Sequence, residues 1–271
     1  MAPEAHPDPT QASRIHERVH AQFGAAAAAY STSLVHADPA ALARIVELAA
    51  PKSTDVALDI ATGSGNTAMA LAPHVAQVIA YDMTPAMLAE TARNAAARGL
   101  TNVVARQGTA ELLPFRDAAF DIVTVRQAPH HFADVRAALR EMARVARPGA
   151  RIVIVDSTSP EDDSLEAQWN YIERLRDPSH VRNYRPSEWR SMMAAAGLRI
   201  TCEELGFATE NGRGMDFDSW VRRMNTPPAA VEELTRLFRN ASPAVAQALR
   251  IELTGDAIRF CVPSITLAAM R

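Results

Sequence analysis

Three acidic residues and two adjacent histidines carry most of the chemistry legible in this chain. Asp59 stands next to last in the apolar run VALDI, the stretch Gly63-Ser64-Gly65-Asn66-Thr67-Ala68 follows it, and Asp82 ends the next apolar run, QVIAYD. Glycines at such a turn let the backbone approach a ligand closely, and the helix beyond offers free N–H groups. The pattern G-x-G-x-x-[GA] gains meaning from lying after a strand and before a helix. An acid closing the second strand of such a unit is placed to accept ribose hydroxyls. Further on, RQAPHHF sets His130 and His131 directly after the run FDIVTVR, and Asp156 closes RIVIVD. A neutral imidazole, titrating near ~6.5, can take a proton from an attacking hydroxyl. A carboxylate at the neighbouring strand end can orient that imidazole or share the base role.

The residue just before the turn discriminates between ligands. Nicotinamide dinucleotides bring an anionic pyrophosphate to this place, and Asp59 would repel it. S-adenosylmethionine (SAM) brings no phosphate there; its ammonium group instead suits a nearby carboxylate, directly or through water. A nicotinamide oxidoreductase is disfavoured also by the absence of a recognisable Ser/Tyr/Lys catalytic set.

These residues need a parallel sheet to bring them together. After the break at Pro51, strand-like runs alternate with helical ones: VALDI, an Ala-rich helix, QVIAYD, PAMLAETARNAAARG, NVVARQ, FDIVTVR, DVRAALREMARVARPG and RIVIVD. That alternation signals βαβ units, hence a doubly wound α/β fold whose strand ends share one crevice. Gly99 and Gly149 stand where helix C-caps are expected. Ahead of this core, Ile15, Val19 and Phe23 step by four along a helix over 14 to 30, and a second helix is expected near 39 to 50. Beyond it come a polar insertion, the helix PSEWRSMMAAAG, the strand LRITCEELGF, helical patterns around 217 to 225 and 228 to 252, and a closing strand, IRFCVPSITLAAMR. The chain thus divides into a disordered leader (1 to 13), a helical cap (14 to 50), the core (51 to 156), an insertion (157 to 190) and a completing segment (191 to 271).

Composition excludes several classes. In 271 residues with a net charge of −3, basic residues are almost all arginine and form no long run, so nucleic acid is not an expected partner. Cys202 and Cys261 lie far apart without metal or redox spacing, which fits a reducing cytoplasm. No stretch is long and apolar enough for a membrane span, and the start, MAPEAHPDPTQ, lacks the apolar segment of a secretory signal. His16 and His20 have metal-ligand spacing on a helix but no third ligand, so they read as a solvated face and no metal is expected.

The motifs LDIATGSGNTA, VIAYDMTPAML, QGTAELLPF and FDIVTVRQAPHHFADVRAALREMARVARPGARIVIVD, in that order, resemble the class I SAM-dependent methyltransferases of the ubiquinone/menaquinone-biosynthesis group. The resemblance spans residues 55 to 156, with a looser match on either side. It implies a Rossmann-like seven-stranded sheet with an antiparallel last strand, and a lid made by the N-terminal helix and the insertion. It also implies site roles. Gly63 and Gly65 would pass close to the methionine moiety, Asp82 would accept the ribose hydroxyls, and Met83 would pack on adenine or simply fill core. Thr109, Ala110 and Glu111 would flank the base, and Gln127 would lie under the sulfonium. Phe23 and Tyr30 would face the cofactor, the Tyr30 hydroxyl a candidate partner for its carboxylate, with packing as the alternative. The family commonly has Gly where this chain has Ala61, and Asp where it has Thr109. Family members with HH at this point use one histidine as base, and of the pair His130 is preferred.

The expected activity is methyl transfer from SAM, leaving S-adenosylhomocysteine, to a small molecule. Oxygen is the preferred acceptor, because a His/Asp base serves most where a hydroxyl must lose its proton. Carbon, nitrogen and sulfur acceptors stay open, as does a SAM-binding regulatory protein without catalysis. In the insertion, Trp169, Tyr171, Arg174, Arg176, His180, Arg182, Tyr184 and Arg185 mix aromatics with cations, and of these Trp169, Tyr171, Arg174, His180 and Tyr184 are the candidates for the acceptor's site; a salt-bridged surface is the alternative. Assembly as a homodimer is left open.

Overall fold

The computed structural model of the chain describes residues 9–31, 38–208 and 214–271. Helix α1 (Pro9–Ser31) begins inside the stretch expected as a leader, and its buried residues Ile15 and Val19 are those the four-residue spacing selected. Helix α2 (Pro39–Ala49) follows, with Asp38 capping it by accepting from the Ala40 N–H at 3.0 Å. The core then runs β1 (Val56–Ile60), α3 (Asn66–Leu71), β2 (Gln77–Asp82), α4 (Pro85–Ala97), β3 (Val103–Gln107), β4 (Phe120–Arg126), α5 (Val135–Val145) and β5 (Ala146–Ser157). After it come α6 (Asp163–Arg176), α7 (Pro186–Ala195), β6 (Arg199–Ala208), β7 (Met215–Asp216), α8 (Phe217–Arg223), α9 (Pro228–Arg239), α10 (Pro243–Ala248), β8 (Glu252–Thr254), β9 (Ala257–Phe260) and β10 (Val262–Met270).

Seven strands form one sheet in the order β3-β2-β1-β4-β5-β10-β6, with β10 antiparallel to both its neighbours. The strand order reverses between β1 and β4, so the crevice for a ligand opens beyond their C-terminal ends. Register makes this local: Asp59 of β1 lies beside Thr124 of β4, one residue short of the strand tip. Leu58, Ile60, Val123, Val125, Ile152 and Ile154 face one layer, where α5 buries Val135, Ala138, Leu139 and Met142 against them. Ala57, Val78, Ala80, Ile122 and Val153 face the other, covered by α2 and α3. Strands apolar on both faces are what a sheet sandwiched between helices requires.

The closing segment departs from expectation. Residues 258 to 271 are two strands rather than one: β9 pairs with β7 and β8 in a separate three-stranded sheet, and only β10 completes the main sheet. The pattern at 228 to 252 likewise divides into α9, α10 and β8. The cause is a satellite core in which Trp220, Phe238 and Phe260 pack edge to face, with centroids 4.7 to 5.9 Å apart. Trp169 and Ile172 of α6 join it, so the insertion is fastened to the C-terminal helices.

Candidate functional site

The glycine turn is shaped from outside. Ala61, Gly63 and Gly65 hold positive φ angles of 50°, 56° and 87°, so the usual glycine at position 61 has a conformational reason, and Ala61 adopts the same geometry with a Cβ. Helix α4 pins the turn: Thr91 Oγ1 donates to the Gly63 carbonyl at 2.8 Å, and Asn94 Nδ2 to the Ser64 carbonyl at 3.1 Å. A Cβ on Gly65 would lie 2.9 Å from the Thr91 methyl, whereas one on Gly63 would meet nothing within 4 Å. Asp82 fixes the other side, accepting from the Gly63 N–H at 2.9 Å and the Thr84 N–H at 2.8 Å.

A cleft opens over this turn. Of the residues assigned to the cofactor, Asp59, Ala61, Gly63, Asp82, Met83, Thr109, Ala110, Glu111, Gln127 and Phe23 of α1 line it, and Gly65 does not. The side chain of Tyr30 falls outside the described residues. Asp59 is buried and accepts from Thr62 Oγ1 at 2.6 Å and Thr124 Oγ1 at 2.7 Å. Burial pushes its carboxyl up to about 6 against those two hydroxyls and the nearby Arg126. Burial likewise raises the Asp82 carboxyl, with the Thr84 and Gly63 amides opposing. Gln127 takes a left-handed φ of 51° immediately after β4, and its buried Oε1 has no hydrogen-bond partner among the described residues. Two desolvated carboxyls and an orphaned carbonyl oxygen call for a polyhydroxylated cation, and SAM, with an ammonium, a sulfonium and a ribose, fits that donor set.

Glu111 contributes to this wall differently. Its Oε1 accepts from the Ala133 N–H at 2.9 Å, just before α5, and its Oε2 lies 3.5 Å from His16 Nε2 of α1. Burial would raise the Glu111 carboxyl, but His16 and the amides bring it below the usual range; Glu111 in turn raises the His16 imidazole. His16 is thus a tie between α1 and the core, while His20 is exposed.

Beyond Gln127 a second cavity adjoins the first; Arg126, Gln127 and His131 line both. His130 lines only the second. Its Nδ1 is 2.6 Å from Asp156 Oδ1, and its backbone N–H donates to Asp156 Oδ2 at 2.9 Å. The carboxylate therefore grips both ring and backbone, and among the described residues Nε2 has no hydrogen-bond partner. Burial disfavours the charged ring, yet the Asp156 charge and hydrogen bond outweigh it, so the His130 pKa lies above the usual value. His131 differs. Its Nδ1 donates to the Ser179 carbonyl at 3.1 Å, its ring meets Phe23 edge to face, and burial beside His130 pulls its pKa far down. A permanently neutral His131 is a wall; His130 with Asp156 is a base held by its orienting acid.

The acceptor candidates taken from the insertion need correction. Among the described residues, none of Trp169, Tyr171, Arg174, His180 and Tyr184 lines either cavity. Trp169 is core, Tyr171 is 45% exposed, His180 hydrogen-bonds Asn170 at 3.1 Å and Tyr184 packs beside Trp189. The end of α6 turned to the cavity instead brings Glu173, Arg176 and the capping Asp177, at helical spacing from Trp169, and Arg223 and Met224 also line it. Arg126, which ends β4 and lines both cavities, was also missed.

A family model for a methyltransferase domain matches residues 58–154. YcgJ of Bacillus subtilis (strain 168), an uncharacterized methyltransferase, is 36% identical over 251 residues, covering 92% of this chain and 97% of YcgJ. Its crystal structure superposes with a TM-score of 0.79 over 85% of this chain and 97% of its own. YafE of Escherichia coli (strain K12), an uncharacterized protein, is 41% identical over 67% of this chain and 85% of YafE. A demethylmenaquinone methyltransferase of Thermus thermophilus is 35% identical over 60% of this chain and 83% of that enzyme.

Proposed function

As this chain belongs to the class I SAM-dependent methyltransferases, we propose that it methylates a hydroxyl oxygen of a small molecule bound in the second cavity, with His130 as general base. The observation that carries this reading is the His130–Asp156 pair, 2.6 Å apart, facing a cavity that shares a wall with the cofactor cleft. When bound, SAM supplies a methyl carbon made electrophilic by its sulfonium, which leaves the protein to position and deprotonate.

In this reading Asp59 and Gln127 Oε1 receive the cofactor's amino-acid end, Asp82 its ribose hydroxyls, and Met83 and Ala110 flank its adenine. Helix α1 excludes water through Val19 and Phe23. His130 Nε2 takes the acceptor's hydroxyl proton, while Asp156 holds the Nδ1–H and stabilises the imidazolium so formed. S-adenosylhomocysteine is the expected product.

The test uses methyl-labelled SAM with a deproteinised small-molecule extract. His130→Ala is expected to lower the labelling rate by roughly 10²- to 10⁴-fold, while calorimetric affinity for S-adenosylhomocysteine stays unchanged. If replacing both histidines leaves the rate intact, the acceptor needs no base, and carbon, sulfur or nitrogen takes the place of oxygen.

A further inference from the structure

His130 is held from a second side, remote from it in sequence. Besides the two contacts from Asp156, its carbonyl accepts from the backbone N–H groups of Val181 and Arg182, at 2.9 and 3.1 Å. Those amides belong to residues 177–185, a connection between α6 and α7 with neither helix nor strand. Such a stretch has no ladder of its own to fix it, so its place depends on the side chains that bind its backbone.

Asn170 does this. It lies within α6, only 2% exposed, next to Trp169, which the satellite core anchors. Its Oδ1 accepts from the Asn183 N–H at 2.6 Å and from His180 Nε2 at 3.1 Å. The two residues it holds therefore bracket the two whose amides hold His130. Burial lowers the His180 pKa well below the ordinary value, so the ring is neutral and Nε2 carries the proton donated here. The Asn170 Nδ2 donates in turn to the Glu166 carbonyl and Oε1, at 3.2 and 2.8 Å, and to the Asn183 carbonyl at 3.2 Å. A buried amide is costly unless both its ends are paired. Here both are spent within the protein, and Asn170 lines neither cavity.

We propose that Asn170 is a positioning residue for His130, setting through residues 180–183 the place of the imidazole beside the second cavity. The proposal rests on the assignment of His130 as the base. Held by Asp156 alone, the residue could pivot about that carboxylate; the two amides on its carbonyl give it a second anchor. Around the ring stand Asp156 of β5, Glu173 of α6 and Asp177 just after it, which raise its pKa, together with the rings of His131 and His180. A ring that drifts from Asp156 therefore titrates lower and meets the acceptor less often in line.

Two measurements on the full chain provide the test. One is the NMR titration of the His130 ring, assigned by its loss in His130→Ala; the other is the labelling rate from methyl-labelled SAM with a deproteinised small-molecule extract. Asn170→Ala is expected to bring the His130 pKa down toward the ordinary value of about 6.5. It should also lower the labelling rate about ten- to hundredfold, while calorimetric affinity for S-adenosylhomocysteine stays unchanged. Asn170→Asp alone keeps Oδ1 but turns an acceptor toward Glu166, and should lose part of the rate. Adding Glu166→Gln sets a donor opposite that acceptor and should restore the rate to within about threefold of the parent. This pair decides the matter if Asn170→Ala fails to fold. A titration unmoved in Asn170→Ala overturns the proposal even if the rate falls, since Asn170 then supports the fold alone; so does a pair that recovers nothing over Asn170→Asp. If the parent chain transfers no label, the methyl-transfer reading falls, and the titration by itself decides the positioning.

Discussion

Asp156 gives His130 two things at once, a fixed ring and a raised pKa, and these have separable consequences. Because the imidazole must be neutral to accept a proton, the rate should climb with pH through the elevated His130 pKa and level off above it. Asp156→Asn removes the charge that opposes burial, so the pKa falls and the acid limb of the kcat profile moves to lower pH. The plateau falls too, by roughly 10²- to 10⁴-fold, since the imidazolium loses its counter-charge and Nδ1 its acceptor. A profile that stays in place while only its height changes would assign Asp156 to backbone support through the His130 N–H. His131, by contrast, is neutral across this range because burial already holds it so.

At the scale of elements, the turn from β3 into the adenine wall is the tightest fit around the cleft. A Cβ on Gly108 would lie 1.9 Å from the Tyr81 hydroxyl and 2.7 Å from the ring carbon bearing it, and Tyr81 is fully buried. Gly108→Ala should cost about 1–3 kcal/mol through overpacking, read as a lower urea midpoint. Tyr81→Phe in the same chain should recover part of it, because the closest clash goes and the ring contact stays. Gly108 escaped notice in the sequence, where QGTAELLPF drew attention to positions 109 to 111. The glycine turn, Asp59, Asp82 and the histidine pair were legible because strand, turn and helix are contiguous in sequence and their spacing alone fixes the geometry. The facing of Glu173, Arg176 and Asp177 was not, although Arg176 belonged to the mixture of aromatics and cations read from the insertion, since it depends on Trp169 sharing a core with Trp220 and Phe260, some fifty to ninety residues later in the chain. Helical periodicity would have separated that face from Tyr171 and Arg174, but not said which side was buried.

For the whole molecule, α1 is joined to the rest largely through residues around the cofactor cleft: Val19 and Phe23 in its roof, Ile15 in the core and His16 beside Glu111. Filling the cleft should therefore stabilise the cap together with the sheet. Saturation with S-adenosylhomocysteine at about 100 times its Kd is expected to add about 2.7 kcal/mol to unfolding stability and to slow proteolytic cleavage within α1. Stabilisation without protection of α1 would show that the cap and the cleft are independent. The lid role assigned to the insertion is narrower than the resemblance implied, because α6 is anchored in the satellite core and offers the cavity one rigid face. Among the described residues no helix is long and apolar enough to cross a membrane.

Arg126, Gln127 and His131 are a party wall, each with one surface toward either chamber. On the proposed chemistry the methyl group crosses that wall directly and never rests on a side chain, so both reactants must be aboard together before either product departs. Initial-rate plots then intersect rather than run parallel, and a single molecule joining an adenosyl fragment to the acceptor by a short tether would occupy both chambers at once.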